Sequence, residues 1–162
     1  MRLWNGWGDE KDYSNVELSS SLKALLSGLL GSGKALPIMT LEKTISKIPE
    51  SKMPHHKLIS TSKEDRLRHT RGQSLSDWFS MHSGAIDCFT DGVAFPRSND
   101  EVKELLLFAS ENNINVIPYG GGTSVVGHIN PEQHDKLNLT ISMANMTRLL
   151  DLDPISLLSL IH

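Results

Sequence analysis

The run Pro118-Tyr119-Gly120-Gly121-Gly122-Thr123-Ser124-Val125-Val126-Gly127 sets three consecutive glycines and two hydroxyls at the end of a short apolar strand. Backbone without Cβ atoms takes positive φ freely and approaches a ligand closely, so successive N–H groups converge on an anion as a nest. Pro118, Tyr119, Gly120, Gly121, Gly122, Thr123 and Ser124 are therefore the candidate phosphate cradle, with the two hydroxyls as further donors. A glycine-rich turn that binds nothing is the competing reading of three glycines alone. A dinucleotide fingerprint is excluded, because G-x-G-x-x-G read from Gly120 fails at Val125 and no amphipathic helix opens there.

A βαβ unit from Gly92 to Tyr119 must position this loop. Val93-Ala94-Phe95-Pro96 is a short apolar run closed by proline, and Ser98 and Glu101 have capping-box spacing. The following helix runs to about Asn112, with Val102, Leu105, Leu106 and Ala109 on one face. Residues 114–119 form the second strand, parallel to the first through a right-handed crossover, and its carboxyl end delivers the glycines where open α/β sheets bind ligands. Residues 137–141 alternate as a half-buried strand, and residues 148–152 form another.

Upstream, Ser62 and Ser74 open two helices around a basic cluster, Arg66, Arg68, His69 and Arg71. Either the cluster neutralises a phosphate, or it is a solvated face paired with Glu64 and Asp65. Residues 16–30 carry Leu18, Leu22, Leu25, Leu26 and Leu29 at helical spacing, ended by Gly31 and Gly33. Prolines 37, 49 and 54 then mark a connecting arm. Two regions follow: residues 1–61, a helical and irregular arm, and residues 62–162, which hold the sheet.

Other chemistries find little support. Gly28 to Lys34 mimics a P-loop, but Ala35 stands where Ser or Thr must hold Mg²⁺, and the context is a helix end. His55-His56 lack partners at zinc-ligand spacing, so no metal site is expected; a His82–Cys88 nucleophile pair has no local signature. With a net charge of −3, nothing favours nucleic acid. One cysteine, no secretory h-region and no run of 18 apolar residues point to a cytoplasmic chain without a membrane span, in which the glycosylation tripeptides at Asn138 and Asn145 carry no meaning.

The glycine loop resembles the FAD pyrophosphate loop of the vanillyl-alcohol-oxidase type of flavoprotein, also known from p-cresol methylhydroxylase. Trp4-Asn5-Gly6-Trp7-Gly8, Arg68-His69 with Gly72 and Ser74, and Asp91-Gly92-Val93-Ala94-Phe95-Pro96 are similar to its FAD-linked oxidase and alkyldihydroxyacetone-phosphate synthase branch. The likeness departs at His128, where the family pattern usually continues with a second glycine.

The resemblance implies an α+β fold, the N-terminal lobe of a p-cresol-methylhydroxylase-type FAD-binding domain behind a helical and irregular arm. It implies FAD as cofactor, and a parent enzyme that either exchanges an acyl group for a fatty alcohol in ether-lipid synthesis or dehydrogenates a 2-hydroxy acid of the D-lactate type. A non-catalytic fragment is the alternative. No catalytic residue carries over. Residues 157–162 show neither a turn nor a return strand, so a truncated or frameshifted product is expected, with a naturally minimal protein as the alternative, inactive alone and prone to self-association through an unpaired sheet edge.

Overall fold

The structure is a computed structural model that describes residues 3–9, 11, 18–33, 38–156 and 158–161. Helix α1 (Ser20–Leu30) starts where the Ser19 hydroxyl accepts from Leu22 N and stops at Gly31, whose φ is 83°. No α1 residue is buried. The P-loop mimic is thus a helix end, with Lys34 outside the described residues, as are positions 16 and 17 of the expected helix. A short helix α2 (Leu41–Ile45) and strand β1 (Ile59–Ser60) follow.

Helices α3 (Lys63–Arg68) and α4 (Leu75–Ser83) are capped by Ser62 and Ser74, each accepting from the backbone three residues on. After β2 (Gly92–Ala94), α5 (Asn99–Glu111) opens at Ser98, which accepts from Glu101 N. The expected reciprocal bond is displaced by one residue: Glu101 Oε2 accepts from Arg97 N at 2.6 Å. Strands β3 (Asn115–Tyr119) and β4 (Asn138–Ser142) complete a sheet of order β1-β2-β4-β3.

Strands β2 and β3 are both parallel to β4, which lies between them, while β1 runs antiparallel to β2. The first and second strands of the βαβ unit are therefore parallel, as the sequence suggests, but not neighbours. Insertion of β4 also corrects its expected half-burial, since all five of its residues are buried. Leu139 and Ile141 meet Leu105 and Ala109 of α5, together with Met53, Ala94 and Ile114. The apolar stripe of α5 is centred on Leu105, so Leu106, expected on that face, stands 48% exposed.

The alternate residue Thr140 joins a polar layer. Its hydroxyl donates to Thr90 Oγ1 at 2.9 Å, and Thr90 N donates to Thr70 Oγ1 at 3.3 Å. Arg66 is 1% exposed and closes this layer, donating from Nε to Thr90 O and from Nη1 to Pro49 O, both at 2.8 Å. Burial pulls its guanidinium below the ordinary value, opposed by the charges of Asp91 and Glu50. Asn138, the first glycosylation tripeptide's asparagine, is 5% exposed and donates to Glu132 O at 3.0 Å.

Strands β5 (Leu149–Asp153) and β6 (Leu158–Ile161) pair antiparallel as a separate hairpin. The expected end in mid-sheet is thus corrected, because residues 154–156 turn the chain back. The Asp153 carboxylate builds that turn by accepting from Ser156 Oγ at 2.6 Å and Ile155 N at 2.9 Å. The Ser156 hydrogen bond, then the backbone ones, hold its pKa below the ordinary carboxylate value. A depressed carboxylate stabilises the folded turn above its unfolded pKa, and that contribution fades as pH falls through the folded one.

Arg66→Met leaves the buried Thr90 carbonyl without its donor and removes a part-buried bond to Pro49 O, and should lower the unfolding free energy by about 2–4 kcal/mol. Arg68→Met, which removes a partly exposed pair with Glu64, should cost less than about 1 kcal/mol. Urea midpoints of the two variants check the contrast.

Candidate cofactor site

Strands β3 and β4 end side by side, with Tyr119 in register with Ser142, and the glycine loop leaves from the carboxyl end of β3. Pro118 is exposed in this edge strand, where a missing N–H is tolerated. Positive φ occurs at Gly122 (66°) and Gly127 (79°), but not at Gly120 or Gly121. Of the three consecutive glycines, then, only Gly122 uses the freedom they share. A Cβ at Gly120 would meet nothing within 4 Å, and one at Gly121 only Thr123 Cγ2 at 3.7 Å. The backbone there faces open space on the side a ligand would fill.

The loop's far end is anchored to the segment before α4. Ser124 O accepts from Gln73 N at 2.6 Å, while a Cβ on Gly72 would lie 2.3 Å from the same oxygen. Gly72 N donates to Asn130 Oδ1 at 3.2 Å, and Asn130 Nδ2 to Asp77 Oδ1 at 2.7 Å. Asp77 is 3% exposed, and its other oxygen accepts from Ser74 N and Ser74 Oγ. One carboxylate thus completes the α4 capping box and ties down the loop. The Ser124 hydroxyl faces His128 Nδ1 at 3.2 Å, and Thr123 is exposed.

A cleft of about 720 Å³ opens beside this loop, walled by Gly120, Gly121, Arg68, His69, Trp4 and Ser142. The His69 ring lies 4.6 Å from the Tyr119 ring and 5.4 Å from that of Phe95, with Nδ1 2.8 Å from Asp65 O. Arg71 also reaches the cleft, nearly buried and paired with Asp87. The basic cluster is not, as a whole, a solvated face. Arg66 belongs to the core, and Arg68, paired with Glu64 at 2.9 Å, forms cleft wall with His69 and Arg71.

Ser142 Oγ is buried without a hydrogen-bond partner among the described residues. An orphaned hydroxyl, cationic side chains and open glycine backbone in one cleft fit a phosphate-bearing aromatic cofactor. Ser142, Gln73, Asp77 and Asn130 are absent from the sequence-derived set; only the Ser74-x-x-Asp77 spacing signals any of them. His82 and Cys88 do not form a pair: His82 Nε2 lies 2.7 Å from Asn5 O, and burial pushes the Cys88 thiol up, away from thiolate. Among the described residues no cluster of metal-ligating side chains occurs, and no helix is long and apolar enough to cross a membrane.

Gly72→Ala drives a Cβ into the Ser124 carbonyl and should cost about 1–3 kcal/mol, whereas Gly120→Ala should stay within about 0.5 kcal/mol of the parent. Thermal melts of both variants test whether loop anchoring is as tight as the geometry requires.

Residues 90–158 match the FAD binding domain family. Alkyldihydroxyacetonephosphate synthase of Dictyostelium discoideum is 28% identical over 93% of this chain and 30% of its own length. The mitochondrial D-lactate dehydrogenase (cytochrome) of Arabidopsis thaliana is 31% identical over 72% of this chain and 20% of its own. A solved alkyldihydroxyacetonephosphate synthase superposes with a TM-score of 0.77 at 25% identity, covering 99% of this chain and 36% of that one. The chain thus spans about a third or less of the proteins it matches. Domain match, relatives and shared fold agree: residues 90–158 match an FAD binding domain, and the chain is similar in sequence and fold to the FAD-binding region of alkyldihydroxyacetonephosphate synthase.

Proposed function

We propose that Pro118, Tyr119, Gly120, Gly121, Gly122, Thr123 and Ser124 form the cradle that holds the FAD pyrophosphate, in the N-terminal part of a flavin-dependent enzyme of ether-lipid synthesis. The observation that carries the reading is the open backbone of Gly120 and Gly121 on the wall of the 720 Å³ cleft, at the carboxyl ends of two parallel strands. FAD supplies the electron-transfer chemistry when bound. The chain's own residues position it: loop amides take the pyrophosphate, Arg68 and Arg71 add positive potential, and the Ser142 hydroxyl gains a partner.

The relatives named alkyldihydroxyacetonephosphate synthase support a small phosphorylated lipid precursor as substrate. The D-lactate dehydrogenase likeness favours a 2-hydroxy acid as the second reading. Both substrates would be bound by parts of the longer enzyme, so these 162 residues alone are proposed to hold FAD weakly and to turn nothing over. A cytoplasmic location and self-association through the hairpin complete the proposal; β5 exposes Leu149, Leu150 and Leu152.

Titration of the purified chain with FAD, followed by flavin fluorescence and sedimentation, tests the reading. Gly121→Val should abolish binding without unfolding the chain. Gly121 has no positive φ, so the effect of valine comes from blocking close approach. Equal FAD binding by Gly121→Val and the parent would overturn the cradle, and reduction of bound flavin by a 2-hydroxy acid would overturn inactivity alone.

A further inference from the structure

We propose that the loop of residues 3–9 is the second wall of the cofactor site and that the Trp4 indole packs against a planar ring of the bound dinucleotide. The inference rests on the FAD reading above and extends it to a segment outside the family match, which begins at residue 90. The loop is closed on itself by Leu3 N donating to Gly8 O at 3.0 Å. It is fixed to α4 through the 2.7 Å contact between His82 Nε2 and Asn5 O, 77 residues apart in sequence. Thus held, it presents two indoles to the glycine loop from different sides. Trp4 shares the main cleft with Gly120 and Gly121, while Trp7 and Gly8 border a smaller recess of about 290 Å³ with Gly121 and Thr123.

An anion cradle holds only the centre of a dinucleotide. The aromatic ends need flat, apolar surface, and an indole supplies it with little conformational entropy to lose. Trp4 is half-buried in the cleft that the glycines open onto, so a pyrophosphate on the loop brings one ring system within its reach. Trp7, 63% exposed, lines the smaller recess and not that cleft. The chemistry is stacking on a heteroaromatic plane, which either the adenine or the isoalloxazine ring provides.

FAD, ADP and FMN are titrated into the parent chain, Trp4→Leu, Trp4→Phe and Gly121→Val, with melting temperatures recorded for each. Trp4→Leu should bind FAD about tenfold more weakly, and Trp4→Phe should recover most of the loss. Weakened ADP binding places the adenine on Trp4, weakened FMN binding places the isoalloxazine there, and either supports the wall. Hydroxyl-radical footprinting of the unmodified chain gives a readout independent of variant folding: FAD should protect Trp4 and leave Trp78 unchanged. If Trp4→Leu binds FAD like the parent while Gly121→Val does not, the wall is overturned and the cradle stands. Failure of the parent to bind FAD, or unchanged FAD binding by Gly121→Val, overturns the cradle, and the wall with it.

Discussion

The site depends on one close approach, the Gly72 backbone against the Ser124 carbonyl. A glycine-rich loop has more conformations to lose than any other segment, and its entropy opposes a fixed array of amides. The cost is offset at the loop's far end, where Ser124 O accepts from Gln73 N and where Asn130 and Asp77 lock Gly72 from behind. The near end needs no such device because β3 is hydrogen-bonded along its length to β4. Between two fixed ends the segment from Gly120 to Thr123 is confined, and such confinement is the preorganisation that the proposed pyrophosphate cradle requires.

Much of this was legible because its signals are local. Serine N-caps at 62, 74 and 98, the Gly31 helix stop and the strand leading into the glycines depend on neighbours a few residues apart. The place of β4 did not depend on its own residues. Asn-Leu-Thr-Ile-Ser alternates as a one-sided strand would, but here Thr140 is buried as fully as Leu139, satisfied by Thr90, 50 residues away. Arg66 misleads for the same reason: its type and helical neighbours suggest solvent, and its burial is made tolerable by the distant carbonyls of Thr90 and Pro49 and the charges of Asp91 and Glu50.

The candidate site divides along the same line. The glycines announce themselves, although positive φ falls on Gly122 and Gly127 rather than across the triplet. The supporting groups do not, because Asp77 looks like any capping acid until Asn130 meets it. Trp4 and Ser142 reach the cleft from segments more than a hundred residues apart in sequence.

The strand order carries a consequence for how the chain acquires its shape. Strands β2 and β3 share no ladder, so the parallel sheet cannot close until β4, some twenty residues further on, slides in between. Local helices can form early, but the parallel sheet is a late, non-local event whose loop-closure entropy is met all at once. During synthesis the apolar faces of β2 and α5 therefore leave the ribosome before their cover exists, an interval in which chaperone engagement competes with misassembly.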